Sequence, residues 1–266
     1  MLLKVGFVVV ALLLAGAETI AQDELTIFTE AFPPYSFQQG DEVVGLNIDI
    51  IKMACKNANI NCTFQLYPWQ RSYNYALKHN NSGVVSTSRT PDREQQFNWV
   101  GPLVDMPTCF YKVAIRDDIV VNHRDDLLNY TIGLARNDVY EQILKSWGFK
   151  HGKNYISFNE KYAYMQAFKA GKLDLFLASA NTINKHLSLL NLSFNDVIPI
   201  FLLNDDNLGG NYLALNKSVP PQLTLKLQAE VENITRSTTL DKLKNQYIPE
   251  ISHDYSPTSK VVQACL

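Results

Sequence analysis

Beyond its first residues the chain has no apolar run approaching the roughly 20 residues that a membrane-spanning helix needs. It also lacks blocks of like charge, low-complexity tracts and repeats of solenoid period. Charged residues are only 19% and the formal net charge is −2, so the bulk electrostatics ask for neither nucleic acid nor an anionic membrane. Among the four cysteines, Cys55 and Cys62 have no His or further Cys near them, and zinc spacing is absent. No Gly-x-Ser-x-Gly, His-Glu-x-x-His or phosphate-binding glycine loop occurs. The five histidines (79, 123, 151, 186 and 253) are scattered and read as surface residues. These absences leave no catalytic residue, metal site or cofactor to assign, and the expectation is a protein that is not an enzyme.

The start of the chain is of a different kind. Lys4 precedes an apolar run from Val5 to Leu14, and small residues follow. That order reads as a secretory signal peptide over residues 1–21, cut after Ala17 or after Ala21. The alternative is a membrane anchor, for which the run is short. No cysteine lies near either cut, which argues against a lipid anchor. The mature protein is therefore expected in the periplasm, where cysteines meet an oxidising medium. Cys55 near a helix end and Cys62 at the start of the next strand can reach disulfide distance. Cys109 and Cys265 form a second pair only if the C-terminal tail packs back near the middle of the chain.

Hydrophobic residues make up 46% of 266, enough to build one large core or two small ones. Strand-like and helix-like stretches alternate, which predicts an α/β fold. Leu25–Thr29, Thr63–Leu66, Val84–Ser86, Thr131–Ala135, Leu173–Ala178, Val197–Leu203 and Tyr212–Leu215 read as strands. Helical faces fall around Ile50–Ala58, Trp69–Leu77, Val139–Trp147, Tyr162–Ala170, Asn181–Leu189, Leu223–Ile234 and Leu240–Tyr247. Two long extended stretches, Pro102–Ile115 and Ile200–Leu215, interrupt the alternation, the second holding Gly209 and Gly210. If both cross between the same two lobes they make a paired hinge. Residues 22–110 and 206–266 would then form the first lobe and 111–205 the second. The competing arrangement is a single doubly wound sheet.

Four segments in order carry a resemblance: Thr29-Glu30-Ala31-Phe32-Pro33-Pro34-Tyr35-Ser36-Phe37 with Val44–Ile50; Cys55 with Cys62; Ser86–Glu94 with Phe97; and Gly171-Lys172-Leu173-Asp174. Each is weak alone, but together, over nearly the whole mature chain, they resemble family 3 of the bacterial extracellular solute-binding proteins. The resemblance implies a two-lobed periplasmic-binding fold of type II, with each lobe a sheet flanked by helices and two crossing hinge strands. It implies a Cys55–Cys62 disulfide and a small polar, carboxylate-bearing, amino-acid-like ligand held between the lobes of a monomer. The partner would be an ABC permease or, in the alternative, a membrane receptor that senses the ligand. A dehydratase-like enzyme on the same fold would need a cleft carboxylate as acid or base. The segment after the Leu173 strand offers none until Asp196.

The residues support such a cleft. A bound carboxylate needs a fixed cation, and the planar fork of arginine pairs with it bidentately. Arg93 stands where the family places that group; Ser86 and Ser88 add hydroxyls, and Arg89 is expected to face solvent. Phe32, Tyr35, Trp69 and Tyr111 are candidate aromatic walls. Arg71 is either a second cleft cation or a surface residue. The second lobe departs from the family twice. Small residues are usual where this chain has Arg136-Asn137-Asp138-Val139, and Asp138 reads as an N-cap that consumes a helix donor. The family's acid for an α-ammonium falls at Ser179, and serine cannot supply that countercharge.

Overall fold

The computed structural model describes residues 23–105, 107–205, 208, 210–248 and 265. The expected signal peptide, residues 1–21, and Gly209 lie outside these residues. The first part of the chain runs β1 (Glu24–Thr29), β2 (Phe37–Gln39), β3 (Glu42–Val44), α1 (Leu46–Asn57), β4 (Asn61–Leu66), α2 (Trp69–Lys78), β5 (Ser82–Ser88), α3 (Pro91–Glu94) and β6 (Phe97–Val104). The middle runs β7 (Thr108–Val113), β8 (Ile132–Ala135), α4 (Val139–Ser146), β9 (Tyr155–Phe158), α5 (Tyr164–Lys169), β10 (Leu175–Ser179), α6 (Ile183–Ser188) and β11 (Val197–Leu203). The last part is β12 (Asn211–Asn216), α7 (Pro221–Thr235) and α8 (Thr238–Tyr247).

Two five-stranded sheets result, ordered β4-β1-β5-β12-β6 and β11-β7-β10-β8-β9, which rules out the single doubly wound sheet. In the first, β1 pairs in parallel with β4 and β5, while β12 runs antiparallel between β5 and β6. The second repeats the scheme, with β8 parallel to β9 and β10, and β7 antiparallel to β10 and β11. β5 is buried along its whole length, as expected of a central strand covered on both faces. Helix α7 shows why the helices pack. Leu223, Leu227, Val231 and Ile234 are spaced to share one face, and all four are buried. Each such side chain contributes about 1.5–3 kcal/mol by leaving water.

The chain passes between the sheets twice, after β6 and after β11. Thr108 pairs with Leu203 and Asn211 with Val104, so the two passages lie side by side. Gly210 has φ +100, and a Cβ there would stand 2.5 Å from the Val104 carbonyl oxygen. Only glycine fits that close approach.

Two boundaries differ from those drawn on sequence. Residues Thr108–Phe110 belong to the second sheet rather than the first lobe, because β7 pairs along its length with β10 and β11. Cys265, placed with the first lobe on sequence, is buried in the second lobe's core and bonded to Cys109. The Cys55–Cys62 disulfide ties the end of α1 to β4, with the two Cα atoms 6.2 Å apart.

Candidate ligand-binding cleft

A cavity of about 570 Å³ opens between the lobes. The first lobe supplies Glu30, Phe32, Trp69, Ser86, Ser88, Arg93 and Asn211 to its wall; the second supplies Asn137, Asp138, Lys161, Tyr164, Thr182 and His186. The first-lobe strands β1 and β5 deliver their residues from their carboxyl ends, where an open α/β sheet leaves a crevice. Among the described residues, side-chain hydrogen bonds join the lobes around it. Lys161 Nζ donates to Glu30 Oε1 at 2.8 Å, Asn181 Nδ2 to the Tyr35 hydroxyl at 3.0 Å, and Asn137 Nδ2 to Gln70 Oε1 at 3.2 Å.

Arg93 sits in the short helix α3, which opens on Thr90 with Pro91 in its first turn. Its residue exposure is 6%, and its Nη1 donates to the Ser88 carbonyl at 3.2 Å. The guanidinium carbon lies 5.3 Å from the ring centroids of both Trp69 and Tyr73. Arg89, Arg116, Arg124 and Arg236 each have a carboxylate within 4.0 Å. Among the described residues no carboxylate stands that close to Arg93. Burial pulls its pKa down, and Tyr73, Asp138, Asp92 and Glu30 oppose that pull from a distance. Arg89 instead points outward and forks onto Glu94, at 2.7 and 2.6 Å.

Ser86 adopts φ +63 within β5, which breaks the strand's alternation. Its hydroxyl accepts from Asn47 Nδ2 at 3.0 Å and lies 3.3 Å from the Ser36 hydroxyl. Phe32 and Ser36 form a bridge that closes the loop over Pro33-Pro34 and sets Phe32 on the cavity wall.

Several sequence-based expectations change here. Tyr111 is not a cleft wall: it is fully buried against Phe176, and its hydroxyl donates to the Cys265 carbonyl at 3.0 Å. Tyr35 is likewise core, with only its hydroxyl reaching across to Asn181. Arg71 is exposed and lies over the Tyr67 and Tyr75 rings, outside the cavity lining. Ser179 is buried, with its hydroxyl 3.0 Å from that of Thr182, and it too is outside the lining. Asp138 occupies the N-cap position of α4 but makes no capping hydrogen bond. Glu141 accepts from the Asn137 N–H at 2.7 Å, and Asp138 is among the cavity-lining residues. His186, expected on the surface, is buried in the second lobe. Its Nδ1 faces the Thr182 carbonyl at 2.9 Å, so Nδ1 carries the proton and Nε2 accepts from the Tyr164 hydroxyl. Burial pushes its pKa down to about 4 and keeps the ring neutral.

Glu30, Lys161 and Asn211 are among the cavity residues that the sequence reading did not single out. Glu30 directly follows β1 and could have been flagged as a carboxylate at the carboxyl end of a parallel strand. Lys161 lies between β9 and α5, where the sequence carried no signal. Burial alone would lower its pKa, but Glu30 and Asp138 outweigh that and hold the ammonium charged above its usual range. Asn211 opens β12 directly opposite Ser88. It is completely buried, and neither its Nδ2 nor its Oδ1 has a hydrogen-bond partner among the described residues.

Residues 25–250 match the bacterial extracellular solute-binding proteins, family 3. The chain belongs to this family. Among its relatives is the arginine-binding extracellular protein ArtP of Bacillus subtilis (strain 168), 22% identical over 240 residues that cover 88% of this chain and 89% of the relative. An ancestral arginine-binding protein solved with arginine shares the fold, with TM-score 0.70 and 19% identity, over 85% of this chain and 98% of that one. A histidine kinase sensor domain similar to periplasmic binding proteins does so too, with TM-score 0.73 and 13% identity, over 87% of this chain and 99% of that one. Family 3 membership makes this an extracellular or periplasmic solute-binding protein of two lobes. The disulfides at Cys55–Cys62 and Cys109–Cys265 suit that compartment.

Proposed function

We propose that the protein captures a small carboxylate-bearing zwitterion, amino-acid-like in kind, between its lobes, without covalent chemistry, and delivers it to an ABC transporter. One observation carries this reading: Arg93 is buried at the cavity wall with no carboxylate within 4.0 Å among the described residues. A guanidinium so placed calls for an anion to complete it, and its planar fork matches a carboxylate. Ser86 and Ser88 flank it with hydroxyls. Asn211 supplies what Ser179 does not, since its open Oδ1 can accept from an α-ammonium while its Nδ2 donates to the neighbouring carboxylate. Trp69 and Phe32 wall the ligand off from water.

Calorimetric titration with the twenty standard L-amino acids tests this reading. Arg93→Ala should weaken binding by about 2–5 kcal/mol, because the ligand's charge is left buried and unpaired. Arg89→Ala should bind as the parent does, since Arg89 faces outward onto Glu94. Wild-type affinity in Arg93→Ala would reject the reading. A sensory role is the second reading, and the fold shared with a histidine kinase sensor domain favours it. Stimulation of an ABC importer reconstituted with the protein would decide for transport.

A further inference from the structure

The cavity contains a second charged group of residues besides Arg93. Glu30, Asp138 and the face of Phe32 all line it. Two carboxylates beside an aromatic face are the chemistry that recognises an organic cation. In this protein a cation is already there. Lys161 Nζ lies 2.8 Å from Glu30 Oε1 and 3.7 Å from the centroid of the Phe32 ring. Both charged side chains are largely withdrawn from water, at 21% and 13% exposure. The next residue, Tyr162, adopts φ +69 with its ring edge-on to His186 at 4.8 Å. A bulky residue takes that conformation only where its surroundings hold it, so the backbone beside Lys161 is pinned by the second lobe.

Resting on the reading of the cleft as a zwitterion site, we propose that Lys161 is the built-in occupant of the cation-recognising part of the cavity and restricts the ligand to one without a positively charged end group. A ligand ammonium or guanidinium entering there would meet a buried like charge and find Glu30 already paired. A neutral or acidic end group meets the opposite situation. Lys161 has three N–H donors and spends one on Glu30, so it can donate to a carboxamide or carboxylate oxygen. The ligand class is thus an α-amino acid, or a close analogue, whose side chain ends in a hydrogen-bond acceptor.

The test uses the full mature protein with L-arginine and L-glutamine as probes, read by calorimetry on wild type, K161M, K161R and the double variant R93A/K161M. K161M should bind L-arginine at least tenfold more tightly than wild type, because the guanidinium then takes Glu30 and the Phe32 face. K161R keeps a cation in place and should show no such gain, which separates charge from loss of packing. Wild type should prefer L-glutamine to L-arginine. An L-arginine affinity in K161M no greater than in wild type overturns the inference. If wild-type binding of L-glutamine still depends on Arg93 in that case, the zwitterion reading stands without it. An L-arginine gain in K161M that survives in R93A/K161M supports the role of Lys161 and overturns the role of Arg93 as carboxylate receptor. Melting temperatures of all variants confirm that the lobes remain folded.

Discussion

Among the described residues, Asn211 is buried with both its side-chain amide nitrogen and oxygen unpartnered. A buried amide without partners costs about 1–3 kcal/mol of stability, and here both its donor and its acceptor are open. Such a cost is tolerated where a ligand repays it. Replacing Asn211 by Leu removes the two orphaned polar atoms at similar volume. The ligand-free protein should then become more stable by about 1–3 kcal/mol in denaturant titration, while affinity falls at least tenfold. A variant that loses stability and affinity together would mark Asn211 as a packing residue instead. Arg93 offers the instructive contrast. Its type and its place after the Ser86–Ser88 segment were legible in sequence, yet the partner groups that define its state come from α2, from the residue after β1 and from the other lobe. Ser179 shows the reverse case. Its position in register was legible, but its side chain turns to Thr182 and away from the cavity lining.

Among the elements, the short strand β9 went unread, because four residues reading Tyr-Ile-Ser-Phe carry too little alternation to stand out. It exists because β8 offers it a parallel partner from Ile132 to Ala135. The start of α4 was read as capped by Asp138, whereas Glu141, at the third helical position, reaches back to the Asn137 N–H. Asp138 itself makes no capping bond and lines the cavity instead. The disulfides allow a quantitative expectation at this scale. They span 7 and 156 residues of chain. On the chain-entropy model the short loop contributes about 2 kcal/mol and the long one about 5 kcal/mol. Denaturant unfolding of the Cys55→Ala/Cys62→Ala and Cys109→Ala/Cys265→Ala double variants should rank in that order. Equal losses would show that strain or residual structure outweighs loop length.

The whole molecule is two lobes on paired passages, and capture of a ligand between them would draw on their relative motion. The passages run side by side, with Leu203 beside Thr108 and Asn211 beside Val104, so rotation about that pair opens the cleft with little disturbance to either sheet. The interlobe hydrogen bonds at Lys161, Asn181 and Asn137 lie around the cleft. Small-angle scattering should therefore show the free protein more extended than the complex with any ligand that binds through Arg93. Identical profiles with and without such a ligand would argue against a hinged cleft. Gly210→Ala should shift that balance without removing the cleft, since the added methyl would press on the Val104 carbonyl.

The order of strands and helices, the two extended passages and the arginine segment were set by local patterning, because periodicity and turn chemistry act within a few residues. Family membership followed from segments that keep their spacing along the chain. What the sequence could not decide was which charges meet. Glu30 and Lys161 are 131 positions apart and Cys109 and Cys265 are 156 apart. Their contacts exist only because two sheets, each stable through its own core, are brought together by the crossing strands. Charge pairing across a cleft depends on distance in space and on exclusion of water. Neither quantity is written in local sequence, so which charges meet in the site was decided by the tertiary structure.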